Sequence, residues 1–308
     1  MEPPSGPGSG LRQYTNTLNL CMTVPYRPHD VERPNGDMTD HTSMPSFPTS
    51  LGTSDADHIS LLGHDLATEL MGKVSFGELA YWLVALRRPS AGELHVFESV
   101  LVALADHGFT PTAIAARITY LSAPDSIQGA LAAGLLGGGS RFLGVTEDCG
   151  QFLAKTLAAH EGALPTNEDG WNAMALGAIA KQRAAGKLVP GLGHPVHKNG
   201  DPRTPVLISI AEDAGQKGPH LTLFEAIGRM SEQALGRPLP LNGAGVCGAA
   251  LADIGLPPAL LRGFALLART AGLLGQLAEE IRHPIANDIY MMVDRNAQYI
   301  SPEHPTGT

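Results

Sequence analysis

From Leu51 onward, apolar residues recur at intervals of three and four, and nowhere do they alternate over the length of a strand. That period restricts the chain to helices that bury one face each. Ser75-x-x-Glu78 precedes FGELAYWLVAL, and Ser90-x-x-Glu93 opens the next periodic stretch, in which Leu94, Phe97, Leu101 and Leu104 share a face. Both are capping boxes, in which the serine oxygen accepts from a first-turn N–H and the glutamate reaches back. The second stretch stops at His107-Gly108, where glycine can take a left-handed backbone. Pro111 and Pro124 mark further boundaries. SIQGALAAGLLGGGS reads as an Ala/Gly helix whose small side chains let neighbouring backbones approach closely. Pro257-Pro258 starts ALLRGFALLARTAGLLGQLAEEI, a long apolar-periodic helix with Arg262 and Arg269 seven residues apart. The fold class is therefore all-α.

The 308 residues are enough for one or two domains. A charged fraction of 17% and 36 glycines suit closely packed helices. The net charge of −9 argues against a nucleic-acid partner, so any anionic ligand has to be met by local clusters of cations. Three scattered cysteines (Cys21, Cys149, Cys247) form neither a disulfide framework nor a zinc pattern and fit a reducing cytoplasm. No signal peptide is legible at the N-terminus, and the stretch from Ser126 to Ser140 is too short to span a bilayer. The expectation is a soluble, cytoplasmic protein with no membrane partner. Residues 1–50, rich in Pro, Gly, Ser and Thr, read as a mostly irregular arm.

Several tempting sites fail on chemistry. GLLGGGSRF lacks the lysine and serine of a phosphate loop and follows a helical pattern. There is no His-Glu-x-x-His and no cysteine pair, so 12 scattered histidines give no metal site. No Gly-x-Ser-x-Gly elbow occurs. What remains is VPGLGHPVHKNGDPR (189–203), which gathers glycines, two histidines, a lysine and an arginine. With it go ADHGFTP (105–111), PLNGAG (240–245), ALLARTAGLLG (265–275) and IRHP (281–284).

Taken in order, these segments resemble the citrate synthase superfamily, and within it the citryl-CoA lyase branch to which the lyase module of ATP-citrate lyase belongs. The likeness begins near TSDADHISLLGHDLATELMGKVSF (53–76) and runs to EEIRHP. It implies an all-helical, citrate-synthase-like homodimer or higher homo-oligomer in which a small domain closes on a large one: 51–147 with 251–308 as the large domain, 148–250 as the small. It implies chemistry on the bond between an acyl-CoA α-carbon and a keto-acid carbonyl carbon, with coenzyme A as part of the substrate and no metal. The favoured direction is retro-aldol cleavage of a citryl-CoA-like 3-hydroxyacyl-CoA to acetyl-CoA, or a related acyl-CoA, and a keto acid. The alternatives are condensation of the citrate synthase type, or a catalytically impaired homologue that binds CoA or dimerises.

By match to the family motifs, His194 meets the keto or hydroxyl oxygen and His107 polarises the thioester carbonyl. Arg203, Arg269 and Arg282 match the carboxylate-binding arginines, the last reaching in from a partner subunit. The planar fork of arginine suits a carboxylate because it forms two parallel hydrogen bonds. Val189, Pro190, Gly191, Leu192 and Gly193 lie against the adenine end of CoA, and Lys198, or equally Lys187, attracts its phosphates. Plainer roles compete at each position. His107 can cap its helix, Arg269 can neutralise Glu279 or Glu280, Arg203 can brace on Asp201, and His197 can pack within its loop.

The sequence departs from the family pattern at three positions. Where the family carries its catalytic aspartate, Asn242-Gly243-Ala244 presents an alanine, which cannot accept a proton. Leu62 and Gln276 stand where an arginine and a histidine are common. A replacement acceptor has to come from elsewhere, with His197, Asp148 and Glu147 as candidates, or His194 has to suffice for a base that acts on a hydroxyl.

Overall fold

The computed structural model describes residues 47–193 and 199–302, and by contact the chain divides into two units, 1–48 and 49–308. All but the last four residues of the expected N-terminal arm lie outside the described residues. Every described helix and strand belongs to the second unit.

Eleven α-helices are described in it: α1 (Phe76–Ala85), α2 (Ala91–Ala105), α3 (Pro111–Ser122), α4 (Ile127–Leu136), α5 (Val145–Ala158), α6 (Glu168–Ala184), α7 (Arg203–Asp213), α8 (Pro219–Leu235), α9 (Gly243–Asp253), α10 (Leu261–Arg282) and α11 (Ala286–Arg295). The all-α expectation holds. It does not anticipate a small antiparallel sheet of β1 (Gly52–Ser54), β2 (Ile59–Leu61) and β3 (His64–Asp65), whose strands are too short to show a period. Leu62 and Gly63 join β2 to β3, both at positive φ (53° and 80°), as a two-residue hairpin demands.

The caps follow the sequence closely. At Ser90 both halves of the capping box form. At Ser75 only the serine half does, because Glu78 faces Arg88 at 3.6 Å. α2 ends at Ala105, just ahead of the expected His107-Gly108 stop, with Asp106 extended and the left-handed turn at Gly108 (φ 70°). α10 starts after a short 3-10 turn at Pro258–Leu260.

The centre of the molecule is α9. Its residues GAGVCGAALAD are almost wholly buried, and it packs against α2, α5, α7 and α8. Only small side chains permit this: a Cβ at Gly248 would overlap the Thr146 carbonyl of α5. Around α9 a single core joins Phe97, Phe224, Leu251, Phe264 and their neighbours, with Tyr81, Phe97 and Phe264 stacked edge to face at 5.7 and 5.3 Å. A second, smaller cluster (Ala116, Ala130, Leu273, Leu277) ties α3 and α4 to the C-terminal half of α10. There Gly134 of the Ala/Gly helix lets Leu273 in, the close approach its composition implies. Among the described residues no helix is long and apolar enough to cross a membrane.

Candidate active site

A cleft of about 640 Å3 opens where the end of α2, the start of α5, the turn at 188–193 and the N-terminus of α9 meet. Its walls are the segment from Leu104 to Thr112, which includes His107, a second from Ser140 to Asp148, and the turn Leu188–Gly193. Arg203, Asn242, Ala244 and Arg269 complete the lining. Segments far apart in the sequence thus share one cavity.

Hydrogen bonds show how they are held. Gly191 and Gly193 take φ of 86° and 79°, and the turn they form pairs with the strand-like stretch before α9. The Gly193 N–H donates to Pro240 O at 2.7 Å and the Asn242 N–H to Gly191 O at 2.9 Å. Asn242 caps α9 through its Oδ1, which accepts from the Gly245 N–H at 2.8 Å, while its Nδ2 donates to Gly193 O at 2.9 Å. One asparagine therefore fixes both the glycine turn and the helix start that carries Ala244. A side chain at Gly191 would collide with Phe224 and Cys149, so backbone alone fits there.

Asp201 is buried and joins the DPR and NGAG segments. Its carboxylate accepts from Arg203 Nε (3.0 Å), Arg203 Nη2 (2.8 Å) and the N–H groups of Arg203 (3.1 Å) and Gly243 (2.8 Å). Burial pushes its pKa up, but the Arg203 fork and the two backbone donors outweigh this and hold it well below the usual carboxylate range. Arg203 also donates from Nη1 to Ala103 O at 3.0 Å. Of its five N–H groups these bonds engage three among the described residues, and the side chain also lines the cleft. The bracing role and a ligand-binding role are thus compatible in one side chain.

Arg269 differs. It is 4% exposed, and its Nε and Nη1 have no hydrogen-bond partner among the described residues. Burial lowers its pKa, Asp106 opposes that shift, and Arg203 adds to it. Glu279 and Glu280, the neutralisers its sequence position offers, are instead bound to Arg117 of α3. A buried guanidinium whose donors lack partners among the described residues has the chemistry to accept an anionic group.

The remaining candidates are spread more widely. His107 lies on the wall. His194, His197 and Lys198 lie outside the described residues. Val189 to Gly193 line the cleft as a continuous turn, whereas exposed Lys187 falls just beyond the lining. Arg282 sits exposed in the last turn of α10, away from this chain's cleft. Of the two acidic candidates for the missing acceptor, Asp148 reaches the cleft, 3.6 Å from Arg262, while Glu147 turns to Gln151. Leu62 is a hairpin residue and not part of the lining. Among the described residues no group of three or more His, Cys, Asp and Glu side chains could hold a metal ion.

Sequence reasoning overlooks Arg117, whose fully buried guanidinium donates to Gln276 Oε1 (2.9 Å), Glu280 Oε2 (2.9 Å) and Glu279 Oε2 and packs over Phe109. A signal exists: Arg269, Gln276 and Glu280 fall seven and four apart on the buried side of an otherwise apolar helix. The glycine-rich run before Arg141 suggests packing alone, yet the Ser140–Leu143 stretch lines the cleft.

A helical fold with a buried arginine, a half-buried one and a glycine turn around one cleft defines a class. The family model for citrate synthase, C-terminal domain, matches residues 64–290, and the chain belongs to the citrate synthase family. Within it, the chain is similar to a citryl-CoA lyase from Hydrogenobacter thermophilus, with 26% identity and a TM-score of 0.73 over 85% of this chain and 97% of that one. It is 26% identical over 274 residues to 2-methylcitrate synthase 1 of Corynebacterium glutamicum, covering 78% of this chain and 66% of that protein. ATP citrate lyase from Methanothrix soehngenii, solved with citrate and coenzyme A, shares the fold at 21% identity and a TM-score of 0.66; 86% of this chain aligns with 43% of it. The chain therefore spans less than half of the ATP citrate lyase and about two thirds of the methylcitrate synthase.

Proposed function

We propose that the protein is an acyl-CoA carbon–carbon lyase that cleaves a citryl-CoA-like 3-hydroxyacyl-CoA to acetyl-CoA, or a related acyl-CoA, and a keto acid. The observation that carries this reading is Arg269, buried on the wall of the cleft that His107 also lines, with two guanidinium nitrogens that have no partner among the described residues. A substrate carboxylate pairs with those donors and with the two remaining N–H groups of Arg203. His107 then donates to the thioester oxygen, where charge develops as the bond breaks. His194 takes the hydroxyl proton. The C–C electron pair passes into the thioester as an enolate, the hydroxyl carbon becomes the keto carbonyl, and the enolate carbon is protonated to give the acyl-CoA. The turn at Leu188–Gly193 receives the adenine end of CoA, with Lys198 or Lys187 near its phosphates. The relatives' substrates support this reading: one is a citryl-CoA lyase, and another was solved with citrate and coenzyme A.

Cleavage begins at a hydroxyl, whose proton an imidazole can take. Ala244 withholds a carboxylate from both directions alike, since the group that takes a methyl proton in condensation is the one that returns it to the enolate carbon in cleavage. In this reading the proton that His194 takes from the hydroxyl is the one returned to that carbon. The same reading includes a cytoplasmic homodimer, closure of residues 148–250 onto the rest, and Arg282 supplied by the partner subunit.

Incubation with citryl-CoA and other 3-hydroxy-3-carboxyacyl-CoAs tests the reading directly. Release of free keto acid is expected, with turnover abolished in His194→Ala. CoA binding without cleavage of any of them would establish the non-catalytic alternative instead. Ala244→Asp is expected to accelerate hydrogen–deuterium exchange of the acetyl-CoA methyl by about 10²–10⁴-fold, followed by NMR, the range a positioned base contributes. No acceleration would mean that position 244 no longer faces the methyl group.

A further inference from the structure

We propose that Gln276 is a positioning residue that anchors the segment carrying His107 to α10; the inference rests on the role proposed for His107 in cleavage.

Three observations converge on it. Asp106 Oδ2 accepts from the Gly108 N–H at 2.8 Å, so the aspartate side chain bridges across His107 and closes that backbone on itself. Its other oxygen, Oδ1, accepts from Gln276 Nε2 at 3.0 Å, which ties the closed turn to α10. One helical turn before Gln276, Gly272 lets the end of α2 lie against α10, because a Cβ there would overlap the Ala105 carbonyl. Arg269, Gly272 and Gln276 thus share one face of α10. The residue that offers orphaned donors to the cleft and the residue that holds the His107 segment sit on the same rigid element.

The identity of residue 276 is dictated by its neighbours. Arg117 Nε–H only donates, and the Asp106 carboxylate only accepts. The residue between them has to accept on one side and donate on the other, which fixes the amide orientation without ambiguity. A glutamate would set two carboxylates against each other. A leucine would leave both Arg117 Nε and Asp106 Oδ1 unpaired. A neutral histidine could accept from Arg117 and donate to Asp106, but a protonated ring would direct a second proton at the guanidinium. Glutamine itself adds no titrating group to this link. The charged groups around the position are Arg117 from α3, Asp106 from the segment after α2, and Arg269, Glu279 and Glu280 from α10 itself.

The test uses the full chain with Gln276→Leu and Gln276→His. For Gln276→Leu, kcat for cleavage of the accepted 3-hydroxyacyl-CoA is expected to fall by about tenfold to a hundredfold with KM unchanged, as for a misplaced catalytic group. Gln276→His is expected to restore most of kcat above roughly pH 7.5 and to lose it in acid more steeply than the unaltered protein, because a second imidazole adds to the acid limb that His194 already gives. The second variant guards against a folding failure of the first. A fall in melting temperature with unaltered kcat, or a histidine variant whose acid limb coincides with that of the unaltered protein, would overturn the proposal and leave Gln276 a structural residue. A separate arm holds even if no acyl-CoA is cleaved. In ligand-free protein with labelled histidine, the His107 ring resonances are expected to shift in Gln276→Leu, and their coincidence with the unaltered protein would also overturn it.

Discussion

Arg269→Met is expected to raise the melting temperature of the ligand-free protein while lowering kcat/KM by about 10²–10⁴-fold. The two effects have one cause. In the free protein the Arg269 guanidinium is 4% exposed with Nε and Nη1 unpaired among the described residues, and burial and Arg203 both disfavour its charge. Leaving such donors without partners costs about 1–3 kcal/mol, which a methionine of similar length avoids. In the proposed substrate complex the same donors meet a carboxylate, and two charge-assisted hydrogen bonds are worth about 1.5–3 kcal/mol each. Their loss converts to the stated fold-change at about 1.4 kcal/mol per decade. Thermal unfolding and steady-state kinetics on the same preparation check both halves. A variant that is less stable and equally active would show that Arg269 serves the fold.

Asp201→Ala should be the most destabilising single change near the cleft, by about 3–5 kcal/mol, because it strips the partner from Arg203 and leaves the Gly243 N–H unmatched. Urea unfolding at neutral pH measures the loss. The sign of its pH dependence is set by the direction of the Asp201 shift. The folded pKa lies below its unfolded value of about 4, so the stabilisation is complete above that value and fades as the pH falls through the folded pKa. The gap between the unaltered protein and the variant is therefore expected to be constant from about pH 8 to 5 and to shrink progressively below about pH 4. A gap unchanged in acid would mean that Asp201 contributes by shape and not by charge. Activity should be lost with stability, since Arg203 and α9 share this anchor.

Much of the helical order is legible in the sequence because it is local. Ser90 and Glu93 write a capping box in four residues, and Leu94, Phe97, Leu101 and Leu104 mark a buried face without reference to the rest of the chain. The glycine turn at 189–193 is legible too, since its conformation belongs to those residues. The three-stranded sheet is not, because strands of two or three residues carry no period. Nor is the Arg117 network, because nothing in AARITYLSAP indicates that one arginine will meet Gln276, Glu279 and Glu280, which lie 159 to 163 residues further on.

Residue order alone is enough for the all-α class, for the places where helices start and stop, and for the membership of His107, Arg203, Arg269 and the 189–193 turn in a set that resembles one family. These properties come from periodicity and from short motifs, which act over a few residues. Which arginine is already satisfied, and which is not, is settled in three dimensions. Arg203 is largely committed to Asp201, and Arg269 has donors without partners among the described residues, although the two look alike as letters. The state of a buried charge depends on the partners the fold brings to it, and those partners come from distant helices.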